Sequence, residues 1–129
     1  MATLTNAGLV ALAKLANGTD SVDPFTYIGI GSGSTAEATS QTALVTESDY
    51  TDTVTGTREA ATCAYEADYK TKWTTTVEFA GSEVVREVGI FSAVTSGTML
   101  MRHVFAADKN MEDGDSLQLT IKMTAARPA

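Results

Sequence analysis

The run from Gly29 to Ser34 reads Gly-Ile-Gly-Ser-Gly-Ser, and such glycine-rich runs can place backbone amides around a phosphate group. The spacing argues against this chemistry, because Ser34 stands where a dinucleotide-binding fingerprint requires its third glycine and no Gly-Lys pair of a phosphate loop is present. A nucleophile elbow does not fit either, since Gly31 occupies the place of its serine. The run therefore predicts a flexible turn.

The segment Asp108–Asp115 has the density of side-chain oxygens that a calcium loop needs. In the EF-hand pattern, however, Gly114 comes one position late, and Leu119 occupies the twelfth position, where a bidentate Glu is required. Two interpretations stay open. The composition favours a solvated hairpin turn, and the alternative is a weak cation site between subunits.

His103 is the only histidine and Cys63 the only cysteine, so a metal site or a catalytic triad would lack partners. With Met99, Met101 and Phe105 as neighbours, His103 is expected to be a packed or interface imidazole. Cys63 excludes an intrachain disulfide and, in a run of small residues, predicts a small buried thiol. The sequence thus predicts no catalytic residue, no cofactor and no metal ligand, and a protein that is not an enzyme.

The composition is that of a folded, acidic protein. The chain has 129 residues, 43% hydrophobic and 19% charged, which is enough for one domain over residues 1–129. A formal net charge of −7 argues against direct binding to nucleic acid or to an anionic membrane surface. Since no apolar run is long enough to span a bilayer and no signal peptide is evident, we expect a product that stays in the cytoplasm where it is made or is assembled there into a particle.

One short helix is predicted at the N-terminus, over about residues 5–17. Thr5 or Asn6 provides the cap and Asn17-Gly18 the stop. The apolar residues that share one side at helical spacing are Leu9, Leu12, Ala13 and Ala16. A helix of this length is marginal alone, so it is expected to lie against a sheet or a neighbouring subunit.

The rest of the chain alternates apolar and polar residues at the period of strands. Strands are predicted over Phe25–Ile30, Arg58–Glu66, Lys70–Phe79, Glu83–Phe91, Met99–Phe105 and Leu117–Met123, with an exposed or edge strand near Thr51–Thr55. The small and polar residues 32–42 predict a mobile surface loop or one that a partner orders. Residues 125–129 are expected to form a short tail.

The central feature is a hairpin from Glu83 to Phe105, joined by the small residues Ala93 to Gly97. A pairing of Arg86 or Glu87 with Arg102 across this hairpin is expected to set its register more than its stability. The fold class predicted is mainly β: an antiparallel β-sandwich or small barrel of six to eight strands with one short N-terminal helix.

The same hairpin carries a family resemblance. Glu87-Val88-Gly89-Ile90-Phe91, a small-residue turn, and Leu100-Met101-Arg102 resemble a pattern of small virion structural proteins of tailed bacteriophages. Further similarity lies in Leu4–Gly8, in Tyr27–Gly31 and in the entry to the last strand at Gly114–Leu117. The resemblance covers most of the chain and implies a particle component of the capsid-decoration or tail collar-fibre type.

From this resemblance, the first expectation is a capsid decoration protein that self-associates as a trimer and docks on another virion protein such as the major capsid protein. A tail-associated collar, baseplate or fibre-attachment module is the alternative. A third is a glycan-binding receptor module, in which exposed Tyr50, Tyr65, Tyr69 or Trp73 would stack on a sugar. Contact residues are expected in the helix, the 32–42 loop and the methionine row, although burial in the chain's own core explains the methionines equally well. The candidates are Leu9, Leu12, Ser32, Ser34, Met99, Met101, His103 and Phe105.

Overall fold

The computed structural model describes residues 2–127. The elements in chain order are β1 (Thr3–Leu4), α1 (Asn6–Asn17), β2 (Tyr27–Gly31), β3 (Glu59–Ala60), β4 (Thr62–Glu66), β5 (Lys70–Glu78), β6 (Glu83–Phe91), β7 (Met99–Met111) and β8 (Ser116–Thr124). A three-residue 3₁₀ turn, Thr19–Ser21, follows the helix. The predicted helix is present, and so are the predicted strands except the edge strand near Thr51–Thr55; the single strand predicted over Arg58–Glu66 is divided into β3 and β4, which belong to different sheets. Two members of the predicted tail, Pro128 and Ala129, lie outside the described residues.

The described strands form two antiparallel sheets. The larger has the order β1-β7-β6-β2-β3 and the smaller has the order β4-β5-β8. Apolar residues of both sheets share one buried cluster, among them Ile28, Val88 and Ile90 from the larger sheet and Trp73 and Val77 from the smaller. This sandwich-like arrangement confirms the fold class predicted from the sequence.

Two sheets pack face to face because their strands alternate as the sequence predicts. In β8, Leu119 is buried and Ile121 is partly buried against the core, while Gln118 and Thr120 face outward. The chain crosses between the sheets at Ala61, whose N–H donates to the carbonyl of Thr26. The short segment from β3 to β4 therefore connects the larger sheet directly to the smaller one.

The central hairpin of β6 and β7 is confirmed, but its second strand is longer than predicted and runs to Met111. Val85 pairs with Lys109 and Glu87 pairs with Val104, so residues 105–108 bulge out opposite a single residue of β6. The residues after Phe105, where the predicted strand ends, are therefore mostly strand, because they continue the pairing with β6 beyond this bulge.

Helix α1 begins where the sequence predicts. The Thr5 hydroxyl accepts the N–H of Gly8 at 2.8 Å, and Gly18 ends the helix with a φ of 72°. The predicted buried face is partly wrong, because Gly8 and Ala11 are buried while Leu9 is 48% exposed. Gly8 lies so close to the backbone of Leu100 that a methyl group there would overlap it, and this contact rotates the helix relative to the predicted face.

The edge strand predicted near Thr51–Thr55 does not form. Residues 48–58 are an irregular loop with one bridge, from Thr53 to Phe79. Thr53 is buried and its hydroxyl bonds to the carbonyl of Tyr50 at 3.0 Å. Local side-chain hydrogen bonds of this kind satisfy the backbone in a turn and so compete with strand pairing.

Candidate functional site

The carboxylate of Glu87 is fully buried, on the face of β6 that points away from the smaller sheet. It accepts the backbone N–H groups of Gly33, Val45 and Thr46 at 2.7 to 2.8 Å. It also accepts Nε of Arg102 at 2.8 Å. A single carboxylate thus satisfies three loop amides and one arginine.

Arg102 of β7 completes the connection to the loop. One of its terminal nitrogens donates to the carbonyl of Thr35 at 2.8 Å and to the side-chain oxygen of Gln41 at 3.2 Å. The side chains of Arg102 and Glu87 are 1% and 0% exposed. The loop of residues 32–42 was expected to be mobile or ordered by a partner. It is instead bound by two side chains of the larger sheet, Glu87 and Arg102.

A set of glycines makes room for this loop. A side chain on Gly31 would overlap the carbonyl of Thr46, and one on Gly33 would overlap the Glu87 carboxylate. Gly29 and Gly89 face each other in the register of β2 and β6. Gly29–Gly31 is therefore buried strand rather than the flexible turn predicted, because glycine there allows close approach of the loop backbone.

A second arginine fixes the neighbouring loops. Arg58 donates to both carboxylate oxygens of Glu47 at 2.7 and 2.8 Å, and to the carbonyls of Ala93 and Ser96 at 2.9 and 2.7 Å. Its guanidinium carbon lies 3.6 Å from the centroid of the Phe91 ring. This arginine therefore joins the 46–58 loop to the loop between β6 and β7.

The electrostatics of this cluster follow from its hydrogen bonds. Burial alone would raise the pKa of the Glu47 carboxyl, but hydrogen bonds from Arg58 and Tyr50 lower that pKa below its ordinary value. Tyr50 donates its hydroxyl to Glu47 at 2.5 Å, and burial together with this carboxylate raises the pKa of the Tyr50 phenol. Glu47 therefore keeps its negative charge beside Arg58, and Tyr50 keeps the proton that it donates to Glu47. Such an arrangement is typical of an ion pair with a structural role.

The predicted contact residues divide into two groups. Met99 and Met101 are 0% and 4% exposed, so the folded chain packs both side chains in its own interior, the alternative that the sequence left open. Met99 packs with Leu44 and Phe91 beneath the loop, and Met101 lies in the main core. Core packing explains these methionines because both faces of the central hairpin are covered.

The other candidates remain reachable to different degrees. Leu9 and Ser34 are exposed, whereas Leu12, Ser32, His103 and Phe105 are half-buried. The ring of His103 packs edge-on against Phe105 with centroids 5.3 Å apart, and its Nδ1 lies 3.5 Å from the carboxylate of Glu37. The expectation of a packed imidazole is confirmed, and the contact role of these residues stays a prediction.

Cys63 is exposed, so the prediction of a buried thiol is wrong. It lies near the end of an outer strand of the smaller sheet, where the larger sheet does not cover it. Trp73, a candidate for stacking on a glycan, is buried and donates its indole N–H to the carbonyl of Phe25 at 2.7 Å. Tyr65 and Tyr69 are exposed.

Residues 112–115 form the tight turn that the sequence favours, with the N–H of Glu112 bonded to the Asp115 carboxylate at 2.9 Å. Within residues 2–127, no three His, Cys, Asp or Glu side chains lie together as a metal would require. None of the helices in that range is long and apolar enough to cross a membrane. The buried side chains of Glu87 and Arg102 bond to loop backbone and to each other, with Arg102 Nη2 alone of their polar atoms lacking a partner within the described residues, and this arrangement is suited to fixing loops.

A family model described as podophage GP4 fiber I protein gp80 matches residues 4–126, nearly the whole chain. The chain belongs to this fibre family. A search of curated proteins gave no significant match. Membership confirms the resemblance to small structural proteins of the bacteriophage virion, and it supports the tail-fibre alternative rather than capsid decoration.

Within this fibre protein, the residues that carried the resemblance have a structural role. Glu87 and Arg102 of that pattern form the buried pair, and Gly89 lies opposite Arg102 in the sheet. The sequence predicted pairing across the hairpin, but it missed the loop amides that Glu87 binds. The sequence did contain one signal of this site. Glu87 and Arg102 stand in predicted strands that carry apolar residues on both faces, so their charged side chains were bound to lie among buried groups.

Proposed function

We propose that this chain is a non-enzymatic structural subunit of the tail fibre of a podophage, assembled in the host cytoplasm into the virion. The observation that carries the proposal is the fibre family model, which covers residues 4–126. In this role the chain contributes a rigid module that associates with its own copies and with another virion protein.

The buried charges support a structural role. Arg58, Glu87 and Arg102 are each less than 10% exposed and are hydrogen-bonded to loop backbone or to each other. A catalytic acid, base or nucleophile has to reach a substrate, and these groups are instead committed to the fold. Loops held in this way can keep a fixed shape at a contact with another subunit, which lowers the entropy lost on assembly.

The location can be tested in the phage itself. Particles that lack this chain are expected to retain filled heads and to lose fibre density when imaged by electron microscopy, and they should adsorb poorly to host cells. Supplying the wild-type chain in trans is expected to restore the fibres. The surface variant Arg86→Ala, supplied in the same way, is the control and is expected to restore them as well. Particles with intact fibres but unstable or leaking heads would contradict the proposal and favour decoration of the capsid.

Glycan binding is a second candidate function, and the exposed tyrosines favour it. Tyr65 and Tyr69 are 75% and 63% exposed at the β4–β5 turn, beside Lys70. Aromatic rings of this kind can stack on a sugar, and a nearby cation suits an acidic one. Binding of host surface polysaccharide to the isolated chain, abolished by Tyr65→Ala and Tyr69→Ala, would support a receptor role. No binding by the wild-type chain would contradict it.

A further inference from the structure

The outer edge of β8 is unpaired in the described chain, where β8 is the last strand of its sheet and bonds only to β5. Phe79 N–H donates to the carbonyl of Asp115, and Ala125 N–H donates to that of Tyr69. Because such bonds fall on alternate residues of an antiparallel pair, the odd-numbered residues of β8 bond to β5. The residues whose N–H and C=O groups point away from β5 are therefore Ser116, Gln118, Thr120, Lys122 and Thr124.

The sandwich is also open along this side. Clefts of about 260 and 310 Å³ lie between the larger sheet and β8. The apolar side chains that border the opening are only partly covered: Leu4, Phe105, Leu117, Ile121 and Met123. A strand added beside β8 would cover these groups and bring its own apolar side chains to the core.

The sequence of β8 does not protect this edge. Natural edge strands avoid pairing with other chains by carrying proline, a bulge or several charges, or by being very short. β8 has nine residues, pairs without a bulge, and carries one charge, that of Lys122. Lys122 is itself 3.0 Å from the carboxylate of Glu66.

We propose that β8 pairs antiparallel with β8 of a second copy of this chain, about a two-fold axis at Thr120. In this register Leu119 faces Ile121 of the copy and Leu117 faces Met123, so the apolar side chains of both strands lie on the core side. Lys122 faces Gln118, so no like charges are opposed. The strand fits its own copy because its alternation is symmetrical about Thr120.

Charge favours this edge over other surfaces for self-association. Each chain carries a net charge of −7, so two copies repel each other wherever acidic surfaces meet. β8 contains no acidic residue. The contact therefore joins the copies along a strand that has no carboxylate of its own, and the nearby Glu66 carboxylate is paired with Lys122. It makes one six-stranded sheet from two three-stranded sheets.

A contact of this kind builds a dimer, which differs from the trimer expected from the sequence, because a two-fold axis is satisfied by two copies. The inference deepens the proposed function and rests on it only for its place in a fibre. Experiments on the isolated chain test the contact, whereas the infection experiment tests the location. A failure of one is therefore distinguishable from a failure of the other.

Cysteine cross-linking tests the register directly. In a Cys63→Ser background, Thr120→Cys places two thiols across the axis, where facing Cα atoms of a hydrogen-bonded pair are about 5.5 Å apart and within disulfide range. We expect a disulfide-linked dimer on mild oxidation. The matched control is Thr74→Cys, on the central strand of the same sheet, which is expected to associate as the wild type does but to form no disulfide-linked dimer. Equal cross-linking of the two variants, or none at Thr120, overturns the proposal.

Light scattering provides the second measurement. The wild-type chain is expected at twice the 13.5 kDa chain mass. Thr120→Pro removes an N–H that β5 does not use, so the fold is kept and dimerisation is expected to weaken at least about tenfold. Circular dichroism spectra that match those of the wild type verify the fold. A wild-type monomer or trimer, or a Thr120→Pro variant that dimerises as the wild type does, overturns the proposal.

Discussion

Arg102 Nε donates a hydrogen bond to Glu87 Oε1 over 2.8 Å, between two side chains that are almost fully removed from solvent. The carboxylate also binds three amides of the loop that covers it. A buried ion pair repays its desolvation only when further hydrogen bonds satisfy its remaining groups. Here the loop supplies bonds to both Glu87 oxygens and to Arg102 Nη1, while Arg102 Nη2 has no acceptor among residues 2–127, so the pair and the loop stabilise each other through most of their polar groups.

The first prediction concerns this pair. Glu87→Ala leaves the Arg102 charge buried without its partner and removes the acceptor of three amides, so we expect a loss of about 3–5 kcal/mol in the free energy of unfolding. Urea denaturation measures this loss. Faster hydrogen exchange at the amides of Gly33, Val45 and Thr46 is expected at the same time.

The surface pair of Arg86 and Asp108 is the matched control, because its side chains are 36% and 49% exposed on the same hairpin. Arg86→Ala is expected to leave the free energy of unfolding close to that of the wild type, because solvent screens an exposed ion pair. Equal losses for Glu87→Ala and Arg86→Ala would show that the buried pair does not stabilise the loop.

The second prediction concerns the close approach of the loop to β2. Gly31→Ala places a methyl group against the carbonyl of Thr46 and the side chain of Glu87, and backbone cannot yield as a flexible side chain can. We expect a loss of about 1–3 kcal/mol from overpacking, measured by thermal unfolding. The nearby exposed variant Ser34→Ala is expected to leave stability within about 0.5 kcal/mol. An unchanged Gly31→Ala protein would contradict this packing.

The third prediction concerns Arg58. Lysine keeps the charge but cannot bond at once to both oxygens of Glu47 and to the two carbonyls of the β6–β7 loop. Arg58→Lys is therefore expected to lower stability by about 1–3 kcal/mol and to increase proteolysis in residues 93–97. A lysine variant as stable as the wild type would show that charge alone suffices at this position.

The fourth prediction concerns acid sensitivity. The pKa of the Glu47 carboxyl is lowered below 4.5 in the folded state, so the unfolded chain binds more protons as the solution becomes acidic. The resulting stability is fully present above about pH 4.5 and is lost as the pH falls through the folded pKa. Tyr50→Phe removes one donor to Glu47, so we expect a smaller loss of stability on acidification, measured as Tm between pH 6 and pH 3. A Tm profile parallel to that of the wild type would contradict this assignment.

Much of the fold is predictable from the alternation of residues. The hairpin of β6 and β7, the strand β8 and the helix over residues 6–17 are all recognisable, because their apolar periods match the geometry of the elements. The buried face of the helix is less predictable. It depends on the contact of Gly8 with Leu100, a residue distant in sequence.

The loop cluster is the part that alternation does not predict. Small and polar residues in the 32–42 segment suggest mobility, yet distant side chains of β6 and β7 bind its backbone. The same limit applies to Met99 and Met101, whose burial follows from the loop and from the second sheet. Residues fixed by long-range hydrogen bonds show no local period, so only the assembled sheet reveals them.

The location of the chain in the intact virion tests the central claim most directly. Electron cryomicroscopy of the particle, with the two-sheet fold fitted to its density, measures both the position and the copy number. We expect density for the chain in the tail fibres, at a copy number fixed by how many fibres each particle carries. Density for the chain over the capsid surface, at hundreds of copies in each particle, would contradict the account.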